Sequence, residues 1–119
     1  MTFRPYKRSE RLAKLFHQKI SEIVFRLKDP GIGFITVTDV ELADDLSIAK
    51  VFYSVLGSEK EKKQTGEILL RAKGFIRHCL SEEFKLRKIP ELEFLFDETP
   101  ERVTRIFEII DKVATEKNK

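Results

Sequence analysis

The chain of 119 residues has one cysteine, no tryptophan, four prolines, five glycines and no long apolar run. A single cysteine, Cys79, cannot form an internal disulfide, and no Cys and His residues have the spacing of zinc ligands, so we expect no metal site and no cofactor. Apolar runs of only a few residues exclude a membrane-spanning helix, and Met1 to Pro5 lack a signal-peptide core. We therefore expect a cytoplasmic protein with no membrane partner.

Motifs for catalysis and nucleotide binding are also missing. Neither GxGxxG nor GxxxxGK[ST] occurs in the sequence. His78 and Cys79 are neighbours, but successive helical residues point about 100° apart, so they do not form a nucleophile and base pair. We predict that the chain is not an enzyme; a small enzyme that uses His78 or Cys79 is the disfavoured alternative.

The composition predicts one folded domain. Hydrophobic residues make up 41% of the chain and charged residues 36%, and this length supports one core but not two ordinary domains. We assign residues 1–114 to a single domain and residues 115–119 to a flexible polar tail.

Charge is unevenly distributed along the chain. Residues 1–28 contain eight Lys or Arg against two Glu, and residues 67–88 contain six basic against three acidic residues. Residues 89–111 reverse this balance, with seven acidic and two basic residues. Such segregation predicts a basic side that can face a polyanion and an acidic side that would repel one.

Hydrophobic periodicity predicts a helix followed by a hairpin. Apolar residues at helical spacing between Arg8 and Leu27 indicate an amphipathic helix, with Ser9 as its N-cap. β-branched residues in 34–41 and 48–56 indicate two antiparallel strands, the second of them central, with a bulge near Thr38 or Asp39.

The second half of the chain predicts helix, strand and helix. Ser58 and Glu61 form a capping-box pattern, and the helical pattern that follows ends before Pro90. Residues 91–97 alternate as a third strand, and Thr99 opens a last helix. The prediction is an α+β domain with helices on one face of a three-stranded sheet, in the element order of the type II KH fold. KH domains bind nucleic acid through a GxxG loop, which this sequence lacks.

Gly74 interrupts the helical pattern of residues 68–80. Ile68, Ala72, Phe75, Ile76 and Cys79 share one predicted apolar face, and Arg71, Lys73 and Arg77 lie opposite. A glycine costs a helix interior about 1 kcal/mol relative to alanine, so its presence requires a reason. A kink or a junction between two helices, with room for a phosphate backbone, supplies one; a helix-terminating glycine without a ligand is the alternative.

At this point the chain resembles ribosome-binding factor A, a bacterial assembly factor of the small ribosomal subunit. The resemblance rests on segments that run in family order over roughly residues 4–110. They are Arg8 to Arg11, Lys28-Asp29-Pro30, Thr36 to Val40, Asp45-Leu46 with Ala49 to Val51, Ala72 to Arg77, and Ile89 to Phe94.

The resemblance implies a type II KH-like domain in which an Ala-x-Gly helical kink at Ala72 and Gly74 replaces the GxxG loop. It also implies binding to the immature small subunit and its ribosomal RNA, and a role in late maturation and processing of the RNA 5' end, including at low temperature. Ribosomal proteins and an assembly GTPase are further implied partners, and a monomer is expected.

The candidate RNA-binding surface combines basic side chains from both helices, because long cationic side chains neutralise phosphates without requiring a fixed base sequence. These residues are Arg4, Lys7, Arg8, Arg11, Lys14, Arg71, Lys73, Arg77, Lys85, Arg87 and Lys88. Two unrelated solvated helix faces are the simpler alternative, and a protein-interaction adaptor without direct RNA binding is the alternative function. Phe25 and Leu15 lie toward the basic face of the first helix. Stacking on a base or contact with a ribosomal protein is one interpretation, and packing against a neighbouring segment is the more usual one.

Overall fold

The computed structural model describes residues 8–27, 29 and 31–98. The elements in chain order are α1 Arg8–Arg26, β1 Phe34–Leu42, β2 Ile48–Leu56, α2 Glu59–Phe84 and β3 Glu91–Phe96. The predicted α+β class and three-stranded sheet are confirmed. The last helix predicted from Thr99, the predicted tail and the boundary between domain and tail lie outside the described residues. Neither described helix is long and apolar enough to cross a membrane.

The sheet has β2 at its centre, as predicted. Strand β1 pairs with β2 in the antiparallel direction, and β3 pairs with β2 in the parallel direction. The register shifts between Val37 and Asp39, which confirms the predicted bulge. Because β2 and β3 are parallel, the chain must cross over between them, and α2 is that crossover.

Both helices cover one face of the sheet and share a single core. Alternate residues of β2 point into it: Ala49, Val51 and Val55 are fully buried. Phe16 of α1 packs against Phe84 of α2 with 5.1 Å between ring centroids, so the middle of α1 meets the end of α2. The buried hydrophobic cluster also includes Ile20, Ile23 and Val24 of α1, Leu69, Ile76 and Leu80 of α2, and Leu92 of β3.

The start of α2 follows the predicted capping box. The Glu61 backbone N–H donates to Ser58 Oγ at 3.2 Å, and the Ser58 N–H donates to Glu61 Oε1 at 3.4 Å. These reciprocal bonds satisfy donors that the first helical turn leaves unpaired.

The structure corrects the prediction of two helices joined at Gly74. Helix α2 is one element of 26 residues that continues through Ala72, Lys73 and Gly74, so any kink there is a bend within one helix. No glycine among the described residues has a positive φ, so none of them shows helix-terminating geometry. Packing of residues on both sides of Gly74, such as Leu69 and Ile76, holds the helix in one piece.

Ser9 also differs from its prediction as an N-cap. It lies within α1 and is buried, and its hydroxyl donates to Asp44 Oδ1 at 3.0 Å. This bond attaches the first turn of α1 to the turn between β1 and β2. A buried hydroxyl needs a hydrogen-bond partner, and Ser9 finds it in this carboxylate instead of capping the helix.

Thr65 makes a buried contact whose removal we expect to destabilise the fold. It is fully buried on α2, and the Gly33 N–H donates to its Oγ1 at 3.1 Å. Thr65→Val keeps the shape but leaves this N–H unpaired, so urea unfolding should show a loss of about 1–2 kcal/mol. Amide exchange at Gly33 should accelerate in Thr65→Val but not in Thr65→Ser, which retains the hydroxyl. Unchanged exchange in Thr65→Val would contradict this role.

Candidate nucleic-acid interface

Gly74 lies on the side of α2 that faces away from the core. The buried residues Leu69, Ile76 and Leu80 define the inner side of the helix, and the 3.6-residue period places Gly74 opposite them. A Cβ atom built on Gly74 meets no atom of the described residues within 4 Å. The packing within the described residues therefore gives no reason for a glycine here, and the space above its backbone is open to a ligand.

Two of the three basic residues near Gly74 are available on the surface. Arg71 is exposed and Lys73 is half-buried, and the helical period places them on opposite flanks of Gly74. Arg77 instead holds the connection to β3. Its Nε donates to the Pro90 carbonyl and its Nη2 to the Ile89 carbonyl, each at 3.1 Å. Arg77 Nη2 also lies 3.4 Å from Glu91 Oε1, so much of this guanidinium serves the fold.

A second basic group gathers at the end of the molecule where α1 begins and α2 ends. The Ser9 contact with Asp44 places the start of α1 beside the β1–β2 turn. In that turn, donation from the Ser47 hydroxyl and N–H lowers the pKa of Asp45, with a smaller electrostatic contribution from Lys88. We call the exposed residues at this end the end cluster; they are Arg8, Arg11, Lys85, Arg87 and Lys88.

Lys14 lies on a different flank of α1. It lines a groove between α1 and β1 together with Glu10, Asp39 and Glu41. The structure thus divides the predicted surface into the Gly74 region, the end cluster and Lys14, and only the first two lie along α2. Arg4 and Lys7 are outside the described residues, so their assignment stays a prediction.

Lys85 occupies a backbone conformation that favours glycine. As the C-cap of α2 it has φ 49° and ψ 44°, and its N–H donates to the Ser81 carbonyl at 2.9 Å. A left-handed conformation strains most side chains, and glycine is the usual residue at such helix ends. The sequence has an exposed lysine there instead.

The aromatic side chains near the basic groups are more exposed than predicted. Phe75 was assigned to the apolar face but is 55% exposed, and it lines a groove of about 320 Å³ between α1 and α2. Phe25 does not pack against a neighbouring segment, since it is 89% exposed. Phe75 lies just outside the buried stripe of α2, whereas Phe25 lies about 100° beyond Val24, the edge of the buried stripe of α1.

The two residues considered for catalysis, His78 and Cys79, lie on different sides of α2. His78 Nε2 lies 3.1 Å from Glu82 Oε1 on the exposed side of α2. Cys79 is half-buried and lines the groove between the helices. Within residues 8–27, 29 and 31–98, no group of three or more His, Cys, Asp or Glu side chains is arranged to hold a metal ion.

Comparison with known proteins identifies the relatives of this sequence. The family profile of ribosome-binding factor A matches residues 8–110. Ribosome-binding factor A of Thermodesulfovibrio yellowstonii is 48% identical over 110 residues, which cover 92% of each chain. That of Halothermothrix orenii is also 48% identical, over 111 residues that cover 92% of this chain and 91% of the relative.

Solved structures agree with this. The crystal structure of ribosome-binding factor A from Thermus thermophilus superposes with a TM-score of 0.67 and 26% identity, over 74% of this chain and 93% of that one. A homology model of the Thermus protein, fitted into the cryo-EM map of a 30S–RbfA complex, gives a TM-score of 0.63 at the same identity and coverage.

Gly74→Ala should stabilise the protein. The added Cβ meets nothing and alanine is the better helix former, so we expect a gain of about 0.5–1 kcal/mol in urea unfolding. Gly66→Ala is the matched control in the same helix, because its Cβ would lie 3.0 Å from the Tyr53 hydroxyl. The Gly66→Ala variant should gain less stability than Gly74→Ala, or should lose stability. A loss at Gly74 as large as that at Gly66 would show that a contact restricts this position.

Proposed function

We propose that this chain, which belongs to the ribosome-binding factor A family, binds the immature small ribosomal subunit through its ribosomal RNA. The RNA-binding surface combines the Gly74 region of α2 with the end cluster. The 30S complex of the Thermus relative supports the choice of partner. The observation that carries the choice of surface is the open space above Gly74, at a helix position where glycine is unfavourable.

The Gly74 backbone suits close approach by a phosphate backbone. A side chain at the outermost position of α2 would keep a ligand at a distance, and Gly74 has none. Arg71 and Lys73 on its two flanks supply cations that neutralise phosphates. Contacts of this kind position an RNA without reading its sequence.

The end cluster extends this surface along α2. Lys85 follows Gly74 by eleven residues, which corresponds to about 16 Å of helix. A specific nucleic-acid interface of roughly 1,000 Å² is about 30 Å across, so one folded RNA can contact both groups. Arg77 contributes chiefly by fixing the loop at Ile89 and Pro90, which precedes β3.

Binding energy, not bond chemistry, performs the proposed task. The protein holds the precursor RNA in a conformation that precedes the mature one and then leaves. This role supports late maturation and processing of the 5' end of the small-subunit RNA, including at low temperature. In this proposal the chain acts in the cytoplasm as a monomer, with ribosomal proteins and an assembly GTPase as additional partners.

Charge reversal tests the proposed surface. Arg11→Glu with Lys73→Glu should weaken binding to purified precursor subunits and lower the salt dependence of log K by about 0.9 for each lost phosphate contact. Lys60→Glu with Lys63→Glu is the matched control, since it changes the net charge equally at the exposed start of α2. Equal effects of the two double variants would remove this surface from consideration.

Nuclease treatment separates the two candidate functions. Association with small-subunit ribosomal proteins that survives complete RNA digestion would favour the protein-interaction adaptor, and loss of association favours direct RNA binding.

Lys85→Gly should separate folding from binding. Relief of the left-handed backbone at an exposed position should stabilise the protein by about 1 kcal/mol, measured by urea unfolding. Loss of one cation from the end cluster should at the same time weaken binding to precursor subunits and reduce its salt dependence. Lys85→Asn tolerates the same backbone conformation and should weaken binding equally. Binding that is unchanged in both variants would exclude Lys85 from the interface.

A further inference from the structure

Strand β1 is an edge of the sheet. Two hydrogen bonds show which of its backbone N–H and C=O groups point away from β2. The Asp97 N–H donates to the Tyr53 carbonyl at 2.7 Å, so the polar groups of Tyr53 point toward β3. Val37 lies opposite Tyr53, so the backbone N–H and C=O of Val37 point away from β2. His17 of α1 confirms this direction, because its Nε2 donates to the Val37 carbonyl at 2.7 Å.

The same alternation shows which other residues of β1 point their backbone N–H and C=O groups away from β2. Ile35, two residues before Val37 in unbroken register, also presents its N–H and C=O to the open side, as does Val40 beyond the bulge. The outward N–H of Val40 is satisfied by Asp39 Oδ1 at 2.9 Å, and the Val37 carbonyl is satisfied by His17. On each side of the bulge, one outward backbone group therefore already has a partner within the chain.

Ile35 lacks such protection. None of the described residues provides a partner for its outward backbone groups. Unpaired groups on a strand edge form a template for another strand, and proteins usually block them. The unblocked part of this edge is short, from Phe34 to Val37, and ends where His17 contacts the strand.

A groove runs beside this open stretch. It has a volume of about 500 Å³, which is within the range of ligand pockets, roughly 300–1,000 Å³. Phe25 of α1 and Phe34 of β1 flank it and are 89% and 81% exposed. All ten described residues that line the groove are uncharged, from Ser21 on α1 to Val37 on β1.

We propose that the β1 edge from Phe34 to Val37 binds an extended, uncharged segment of a partner protein by strand addition. The backbone of Ile35 supplies an N–H and a C=O that another extended backbone matches, and Phe25 and Phe34 cover alternate side chains of the segment. The uncharged lining selects an uncharged segment, because buried charges would lose their hydration without a partner.

Charge and shape distinguish this occupant from two others. Phosphates of RNA would meet no cation in the groove, so RNA does not match the lining. A second copy of the chain would bring its own α1, which His17 holds against its own β1, into the same narrow space. A bare segment avoids that collision.

The probe for this proposal is a capped eight-residue peptide of alternating valine and threonine, added to the isotope-labelled full chain. By NMR, binding should shift the Ile35 and Val37 amide signals and slow hydrogen exchange at Ile35. The same peptide N-methylated at alternate residues should not bind, because it lacks the donors of the new ladder. Absence of binding by the unmodified peptide, or binding without protection of Ile35, would overturn the proposal.

Matched variants locate the binding site. Phe25→Asp and Phe34→Asp should each weaken peptide binding about tenfold or more through the lost apolar contact and the introduced charge. Leu15→Asp changes another exposed apolar residue, which does not line the groove, and should leave binding within about twofold. Equal losses in all three variants would contradict the site. Self-association that protects Ile35 would identify a second copy as the occupant, and RNA that shifts the groove signals would identify nucleic acid; either outcome overturns the proposal.

Discussion

The fold and the proposed RNA surface both depend on burial of the inner side of α2. Leu69, Ile76 and Leu80 are almost completely removed from solvent between α1 and the sheet. These contacts fix the rotation of the helix about its own axis, because turning it would expose the apolar side. Fixed rotation means that Gly74 must face outward. The core therefore determines both the stability of the domain and the direction in which α2 presents the backbone of Gly74.

Two positions on α2 hold residues that the described fold does not favour. Gly74 weakens a helix in which alanine would fit, and Lys85 occupies a left-handed conformation in which glycine would be less strained. Gly74→Ala would cover the open backbone, and Lys85→Gly would remove a positive charge. Both properties suit the proposed binding of RNA. Residues that oppose the local preference are expected where function, not folding, sets the choice.

The sequence predicted what depends on periodic burial and missed what depends on contacts between distant segments. The strand bulge near Thr38 and the capping box at Ser58 are local signals, and both are present. The bond from Ser9 to Asp44 spans 35 residues and that from Arg77 to the Pro90 carbonyl spans 13, so no local pattern indicates them. The alternative of a junction between two helices at Gly74 is wrong for the same reason, since packing on both sides of the glycine outweighs its low helix propensity.

Helix α1 separates the two proposed surfaces. One flank of α1, which includes Ile23 and Arg26, faces α2. The other flank, which includes Ser21 and Phe25, faces the edge of β1. A strand added to β1 would therefore lie across α1 from Gly74 and would displace none of the cations near it. The two proposed surfaces also differ in chemistry, because the described lining of the groove is uncharged whereas the proposed RNA surface carries Arg71, Lys73 and the end cluster. The two proposals taken together mean that one small domain holds a precursor RNA and a protein segment at the same time.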